Sequence, residues 1–200
     1  MKVVRNKVRE EKKAQVATRA ATYDESEIAE LVERAAGGNF EAFGELYSIY
    51  LDRIYRYVFY QVRDKMTAED ITEEVFIKAW NAIASCKGRG QTFSSWLYRI
   101  AHNHVIDSLR SRRRHLSIEM ETADKVGGLE LEAKEELEQQ ELLQVIGCLS
   151  QNQRQVIILK FIEGLDNCEI GQVMGKSEGA IRVLQMRALA TLRRELGREK

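Results

Sequence analysis

Residues 165–184 read Leu165-Asp-Asn-Cys-Glu-Ile-Gly-Gln-Val-Met-Gly-Lys-Ser-Glu-Gly-Ala-Ile-Arg-Val-Leu184, the pattern of two short helices joined by a tight turn. Ile170 and Val173 fall on one face of the first segment, and Ile181, Leu184 and Ala188 recur at three and four in the second. Gly175 supplies the left-handed backbone conformation that such a turn requires. Asp166 and Ser177 stand where a side-chain oxygen caps each helix. Burying the apolar stripe leaves Glu178, Gly179, Ala180, Arg182, Val183 and Gln185–Arg187 on or beside the outer face. A helix-turn-helix offers such N-terminal turns to base edges, with Arg182 and Arg187 as phosphate or guanine partners. Plain structural hairpins share this pattern, so the surrounding sequence has to decide between the two.

Outward from this stretch the chain stays helical in character. Its 200 residues contain no proline, where ordinary usage of about 5% would place roughly ten. A hydrophobic fraction of 44% is enough for packed cores and too high for a wholly disordered chain. No apolar run approaches the ~20 residues that cross a bilayer, and the basic N-terminus is not followed by a signal-like apolar stretch. Cys86, Cys148 and Cys168 are far apart, which fits neither a disulfide framework nor a zinc site and points to a reducing cytoplasm. His102 and His104 diverge on a helix, so a metal site there is not expected.

The formal net charge of zero is an average over unlike blocks. Residues 1–20 carry +5, residues 99–115 carry +4, residues 116–141 carry −7 and residues 176–200 carry +4. This divides the chain into a basic arm (1–22), a first helical domain (23–115), an acidic flexible linker (116–136) and a second domain with the helix-turn-helix (137–200). In the first domain, Asp24 or Ser26 caps a helix that Gly37-Gly38 stops. A long helix follows from Phe40, and Thr67-Ala-Glu-Asp70 resembles a capping-box start for a third. A fourth spans about Thr92 to Arg113. In the second domain, Ser150 caps a helix running to about Glu163.

Thirteen of the fifteen aromatic residues lie between Phe40 and Tyr98. Phe40, Phe43, Tyr47, Tyr50 and Trp80 sit at helical spacing and are expected in the core. The fourth helix buries Phe93, Trp96, Leu97, Ile100 and Ala101, leaving Arg99, His102, Asn103, Asp107, Arg110 and Arg112–Arg114 on its other face. Beside it lies the glycine-broken loop Ser85-Cys-Lys-Gly-Arg-Gly-Gln-Thr92. Basic groups, hydrogen-bond donors and aromatics together suit unpaired bases, so the first domain is expected to hold separated strands while the second reads duplex.

Four stretches in this order resemble one family: Phe40-Glu-Ala-Phe-Gly-Glu-Leu-Tyr47, Ala68-Glu-Asp-Ile-Thr-Glu-Glu-Val-Phe-Ile-Lys-Ala-Trp80, Phe93-Ser-Ser-Trp-Leu-Tyr-Arg-Ile-Ala-His-Asn-His-Val-Ile-Asp-Ser-Leu-Arg110, and Leu149-Ser-Gln-Asn-Gln-Arg-Gln-Val156 leading into the helix-turn-helix. Together they resemble bacterial RNA polymerase sigma factors of the extracytoplasmic-function (ECF) subfamily. The resemblance implies an all-α fold and a protein that recognises and melts promoters without catalysis, metal or cofactor. Glu69, Asp70, Glu73, Glu74 and Lys78 would dock core polymerase through its β′ subunit. Lys87, Arg89, Gln91, Arg99, His102, Asn103, Asp107, Arg110 and Arg113 would engage the minus-ten element. Ser177, Glu178, Gly179, Ala180, Arg182, Val183, Met186 and Arg187 would read the minus-thirty-five element.

The same resemblance implies core RNA polymerase, through its β′ and β subunits, and promoter DNA as partners. It also brings in the anti-sigma partner that many members have. The acidic linker would thread through polymerase toward the RNA path. Two departures stand out: Ser150 replaces a usual proline, and Gly171 replaces a usual alanine at up to about 1 kcal/mol of helix propensity. The competing readings are a helix-turn-helix regulator without stable polymerase binding and an all-helical interaction protein.

Overall fold

The computed structural model describes residues 23–86, 92–116 and 142–196, with only the backbone for 113–116. Every regular element among them is helical. Helix α1 (Glu25–Ala36) opens on a reciprocal cap: Glu27 N donates to Asp24 Oδ1 at 2.9 Å and Asp24 N to Glu27 Oε2 at 2.8 Å. Gly37 and Gly38 end it, the latter at φ 90°. Asn39 then caps α2 (Phe40–Val62), which buries Phe43, Leu46, Ile49, Tyr50, Ile54, Tyr57 and Val58 at its three–four spacing.

Helix α3 (Lys65–Ala82) begins three residues before the expected start. Asp64 is its cap, taking hydrogen bonds from Thr67 N at 2.8 Å and Thr67 Oγ1 at 2.6 Å. Thr67 therefore donates to a cap rather than forming one. A 3-10 turn, Ile83–Cys86, follows. Helix α4 (Phe93–Leu116) is capped by Thr92, whose Oγ1 accepts from Ser95 N at 3.1 Å.

Not every expected core aromatic is buried. Phe43 and Tyr50 are, but Phe40 is 72% exposed and Tyr47 38%. Phe40 instead meets Trp80 edge-on at 5.6 Å, and Tyr47 meets Phe76 at 4.7 Å. Each ring covers a deeper aromatic with one edge and leaves the other in water.

The second unit starts with a short helix, α5 (residues 142–147), and α6 (Gln151–Ile157). The regular helix expected to run on to Glu163 instead widens into a π turn over Ile158–Ile162. Glu163 N reaches Ile158 O at 3.0 Å, and Leu165 N reaches Leu159 O at 2.9 Å. This wider turn re-aims the chain end, and Glu163 becomes a buried residue. Helices α7 (Asn167–Met174) and α8 (Glu178–Leu196) complete the unit.

The two units share one apolar core: Tyr57, Tyr98 and Val105 belong to the same buried cluster as Val156, Leu159, Ile170 and Ile181. Helix α4 lies against α7, and α2 against α6 and its π turn. Thr92 Oγ1 donates to Glu169 Oε1 at 2.9 Å, and Ser95 Oγ to Gln172 Oε1 at 3.1 Å. At the far end, Arg63 is held left-handed at φ 59°, a conformation costing a non-glycine residue roughly 1–2 kcal/mol. Its Nη2 donates to Leu143 O at 2.9 Å, so the strained residue anchors the second unit. Linker residues 116–136 fall outside the described residues apart from Leu116.

His102 is caught in this seam. Its Nδ1 lies 3.5 Å from Tyr57 Oη. Burial, and secondarily the Lys176 ammonium, lower its pKa to about 4. The unfolded chain then binds the extra proton between the ordinary value of about 6.5 and the folded one. Stability is therefore expected to fall as pH drops from about 6.5 toward about 4, and His102→Gln should flatten that slope in urea titrations. An NMR titration should show the His102 ring changing only near pH 4; a midpoint near 6.5 would mean that the seam is open. Asp64→Ala should cost about 1 kcal/mol in denaturant titration, the usual worth of such a cap.

Candidate nucleic-acid interface

Two surfaces of the first domain and one of the second carry the residues singled out by sequence. On α3, Glu69, Asp70, Glu73, Glu74 and Lys78 are all exposed. Between them lie two apolar side chains that the sequence reading missed, Met66 at 75% and Ile77 at 61% exposed. Positions 66, 70, 73 and 77 fall on one helical stripe, giving two apolar anchors among carboxylates. Met66 and Ile77, three helical turns apart, lie opposite the buried Ala68-Ile71-Val75 face. His104 Nδ1 lies 3.2 Å from Glu74 Oε2, joining this surface to α4. Burial first, then Lys78, lowers the His104 pKa against the opposing pull of Glu74 and Asp107.

On α4, Arg99, Asn103, Asp107 and Arg110 are exposed. Their spacing of four, four and three keeps them on one stripe. Asp107 and Arg110 are 3.9 Å apart, a loose pair in water that contributes little. His102 does not share this open stripe. It turns toward Tyr57 and lies under α7, where burial keeps it neutral. Lys87, Arg89, Gln91 and the Arg113 side chain lie outside the described residues.

The third surface is the helix-turn-helix. Gly175 occupies the left-handed region at φ 63°, and Lys176 N closes the turn on Gly171 O at 2.9 Å. A Cβ on Gly171 would sit 2.7 Å from the Lys176 carbonyl oxygen. The glycine that weakens α7 as a helix thus admits the closest approach of the turn. Ser177 Oγ accepts from Ala180 N at 3.3 Å, and Ile181 N bonds to Ser177 O at 3.1 Å.

Ile181 and Ala188 are buried, while Ser177, Glu178, Gly179, Ala180, Arg182, Val183, Met186 and Arg187 are all exposed. Gln185, placed near the outer face by sequence, turns inward and donates to Asn167 Oδ1 at 2.7 Å. Arg182 pairs with Glu178 one turn earlier. Both side chains are at least half exposed, so the pair is worth a fraction of a kcal/mol and leaves the guanidinium free to exchange partners.

Among the described residues no helix is long and apolar enough to cross a membrane. Nor do three metal-ligand side chains converge among them. The surfaces therefore offer charge, hydrogen-bond donors and shape.

Comparison with known proteins gives this arrangement a family. Residues 46–115 match the model of Sigma-70 region 2, and residues 145–194 that of Sigma-70, region 4. The ECF RNA polymerase sigma factor BldN of Streptomyces coelicolor is 41% identical over 183 residues, covering 88% of this chain and 69% of the relative. SigW of Bacillus subtilis, also an ECF RNA polymerase sigma factor, is 31% identical over 185 residues, covering 84% and 96%. Among solved structures, CnrH in complex with the cytosolic domain of CnrY superposes with a TM-score of 0.67 at 25% identity, over 85% of this chain and 97% of that one. The sigma factor RpoE of Bartonella quintana shares the fold at a TM-score of 0.63 and 21% identity, over 79% and 98%. With region 2 on the first helical unit and region 4 on the helix-turn-helix, the chain belongs to the ECF RNA polymerase sigma factors, alternative subunits that bring polymerase to promoters and direct transcription initiation.

Proposed function

We propose that the three surfaces divide the work of initiation. The observation carrying this reading is that each is exposed, chemically distinct and on its own helix: carboxylates around Met66 and Ile77 on α3, a cationic and amide stripe on α4, and the N-terminal turns of α8. Helix α3 docks core polymerase, with Met66 and Ile77 supplying apolar contact. Glu69, Asp70, Glu73, Glu74 and Lys78 supply steering and register against a basic partner.

Arg99, Asn103, Asp107 and Arg110 on α4 hold the melted minus-ten element, and Lys87, Arg89 and Gln91 join them in this role. Asn103 supplies hydrogen bonds and the arginines supply phosphate contacts. Helix α8 reads the minus-thirty-five element in the major groove, with Arg182 at a base edge and Arg187 at the backbone or a second base. Promoter DNA and the β′ and β subunits are then the partners, and the protein works in the bacterial cytoplasm as a non-enzymatic initiation factor. The reading extends to an anti-sigma partner: RpoE of Bartonella quintana, which shares this fold, was solved in complex with the anti-sigma factor NepR.

Run-off transcription with core polymerase and a panel of candidate promoters tests the reading as a whole, and a holoenzyme inert on all of them would overturn it. Arg182→Ala should weaken binding of the upstream element by about 1–3 kcal/mol, the worth of one base-edge contact. Its core-polymerase affinity should stay at the parental value; equal loss of both would remove α8 from DNA recognition. Asp70→Lys and Ile77→Ala should each lower core affinity in a competition assay while leaving free-protein stability within about 0.5 kcal/mol, as expected for surface substitutions. Unchanged affinity in both would move the docking surface off α3.

A further inference from the structure

Arg53 and Arg56, one turn apart on α2, and Tyr98 on α4 converge on a single anion supplied by the other unit. The Glu163 side chain is fully buried. Arg56 forks onto it, Nε to Oε1 at 2.9 Å and Nη2 to Oε2 at 3.0 Å. Tyr98 Oη donates to Oε2 at 2.6 Å. Arg53 Nη2 donates to the Glu163 carbonyl at 2.9 Å, and its Nε stands 3.6 Å from Oε2. Among the described residues, the ion pairs of both arginines are with Glu163 alone. Burial, with the Glu163 carboxylate next to it, raises the Tyr98 pKa well above the ordinary value, so the phenol stays a donor.

Without Glu163 the first domain presents two guanidiniums and a phenol with no anion of its own. Forked guanidiniums fit a carboxylate or a phosphate equally. The place favours phosphate. Tyr98 precedes Arg99 of the α4 stripe, and Tyr57, next to Arg56, reaches His102. Arg53 and Arg56 keep 32% and 40% of their side chains in solvent, so one edge of the cradle is open even when occupied. The docking that seats Glu163 also lays Gln172 over Ser95 and brings Lys176 to His102, covering that end of α4.

We propose that Arg53, Arg56 and Tyr98 form a nucleic-acid phosphate site on the first domain, which Glu163 fills as an internal anion while the domains are closed and vacates when they part. This rests on the reading that α4 engages promoter strands. Phosphate contacts carry no sequence information, so a labelled single-stranded oligonucleotide of mixed sequence is a sufficient probe. Anisotropy titrations over a salt series are run on the full-length chain, with small-angle scattering to report opening and circular dichroism to confirm folding.

Glu163→Gln keeps the shape and removes the charge. It should raise the radius of gyration and tighten oligonucleotide binding about tenfold, as the binding-competent fraction rises. In that background Arg53→Gln and Arg56→Gln should each take back part of the gain and reduce the salt slope by about 0.7, the value for one phosphate on a single strand. Arg56→Lys should keep the slope, because it retains the charge and loses only the fork. An open Glu163→Gln protein whose affinity and slope ignore both arginine substitutions would overturn the proposal, leaving the cluster as an internal clamp only. A Glu163→Gln protein with unchanged radius and affinity would overturn it as well. Arg99→Ala and Asn103→Ala in the same background separate the two ideas. Binding lost there but not at Arg53 and Arg56 sinks the phosphate site and spares the α4 reading, and the reverse sinks the α4 reading alone.

Discussion

One fully buried carboxylate holds the arrangement together. Glu163 takes the forked guanidinium of Arg56, the phenol of Tyr98 and the nearby Arg53, all from the other domain. Burying a charge costs several kcal/mol unless partners replace its water. Here the partners all belong to the first domain, so the second cannot leave without exposing apolar core and returning these groups to solvent together. The π turn over Ile158–Ile162 makes the meeting possible by re-aiming the chain just before Glu163. Widened turns of this kind concentrate where a helix serves a function beyond its own stability.

The opposite end of the interface is differently built. Arg63 and Arg154 lie close enough that, after burial itself, the charge of Arg63 is the next cause lowering the Arg154 pKa. Among the described residues neither forms an ion pair with a carboxylate; they donate to the carbonyls of Leu143, Ile146, Leu149 and Gln61. Buried side-chain atoms of Gln61 and Gln155 have no partner among the described residues. One end of the closed form is thus held by a satisfied network and the other carries like charges and unpaired amides. A balance of that kind suits the opening proposed above, since unpaired groups lower the work of separation.

Much of the fold was legible from local chemistry. Asp24, Asp166 and Ser177 cap helices because a short side-chain oxygen next to an amphipathic run has few other uses, and Gly175 makes the turn because it alone accepts φ 63° without strain. The start of α3 was misread because Asp64 and Thr67 both offer caps and only one can be first. Phe40 and Tyr47 were misread because helical spacing identifies a face and not the depth of its edge. Met66 and Ile77 went unnoticed among the α3 carboxylates because an exposed apolar residue carries no local mark.

The sequence by itself determined that this chain is helical, that basic blocks lie on either side of an acidic segment, and that it resembles the ECF sigma factors. These follow from periodicity, caps and motif order, all local properties read along the chain. Only the tertiary structure decided that the units lie on each other, that His102 is half-buried in the seam with its pKa lowered, and that Glu163 is the anion between Arg53 and Arg56. Those facts join residues 45 to 110 positions apart, and no local rule relates such residues until the core has brought them together.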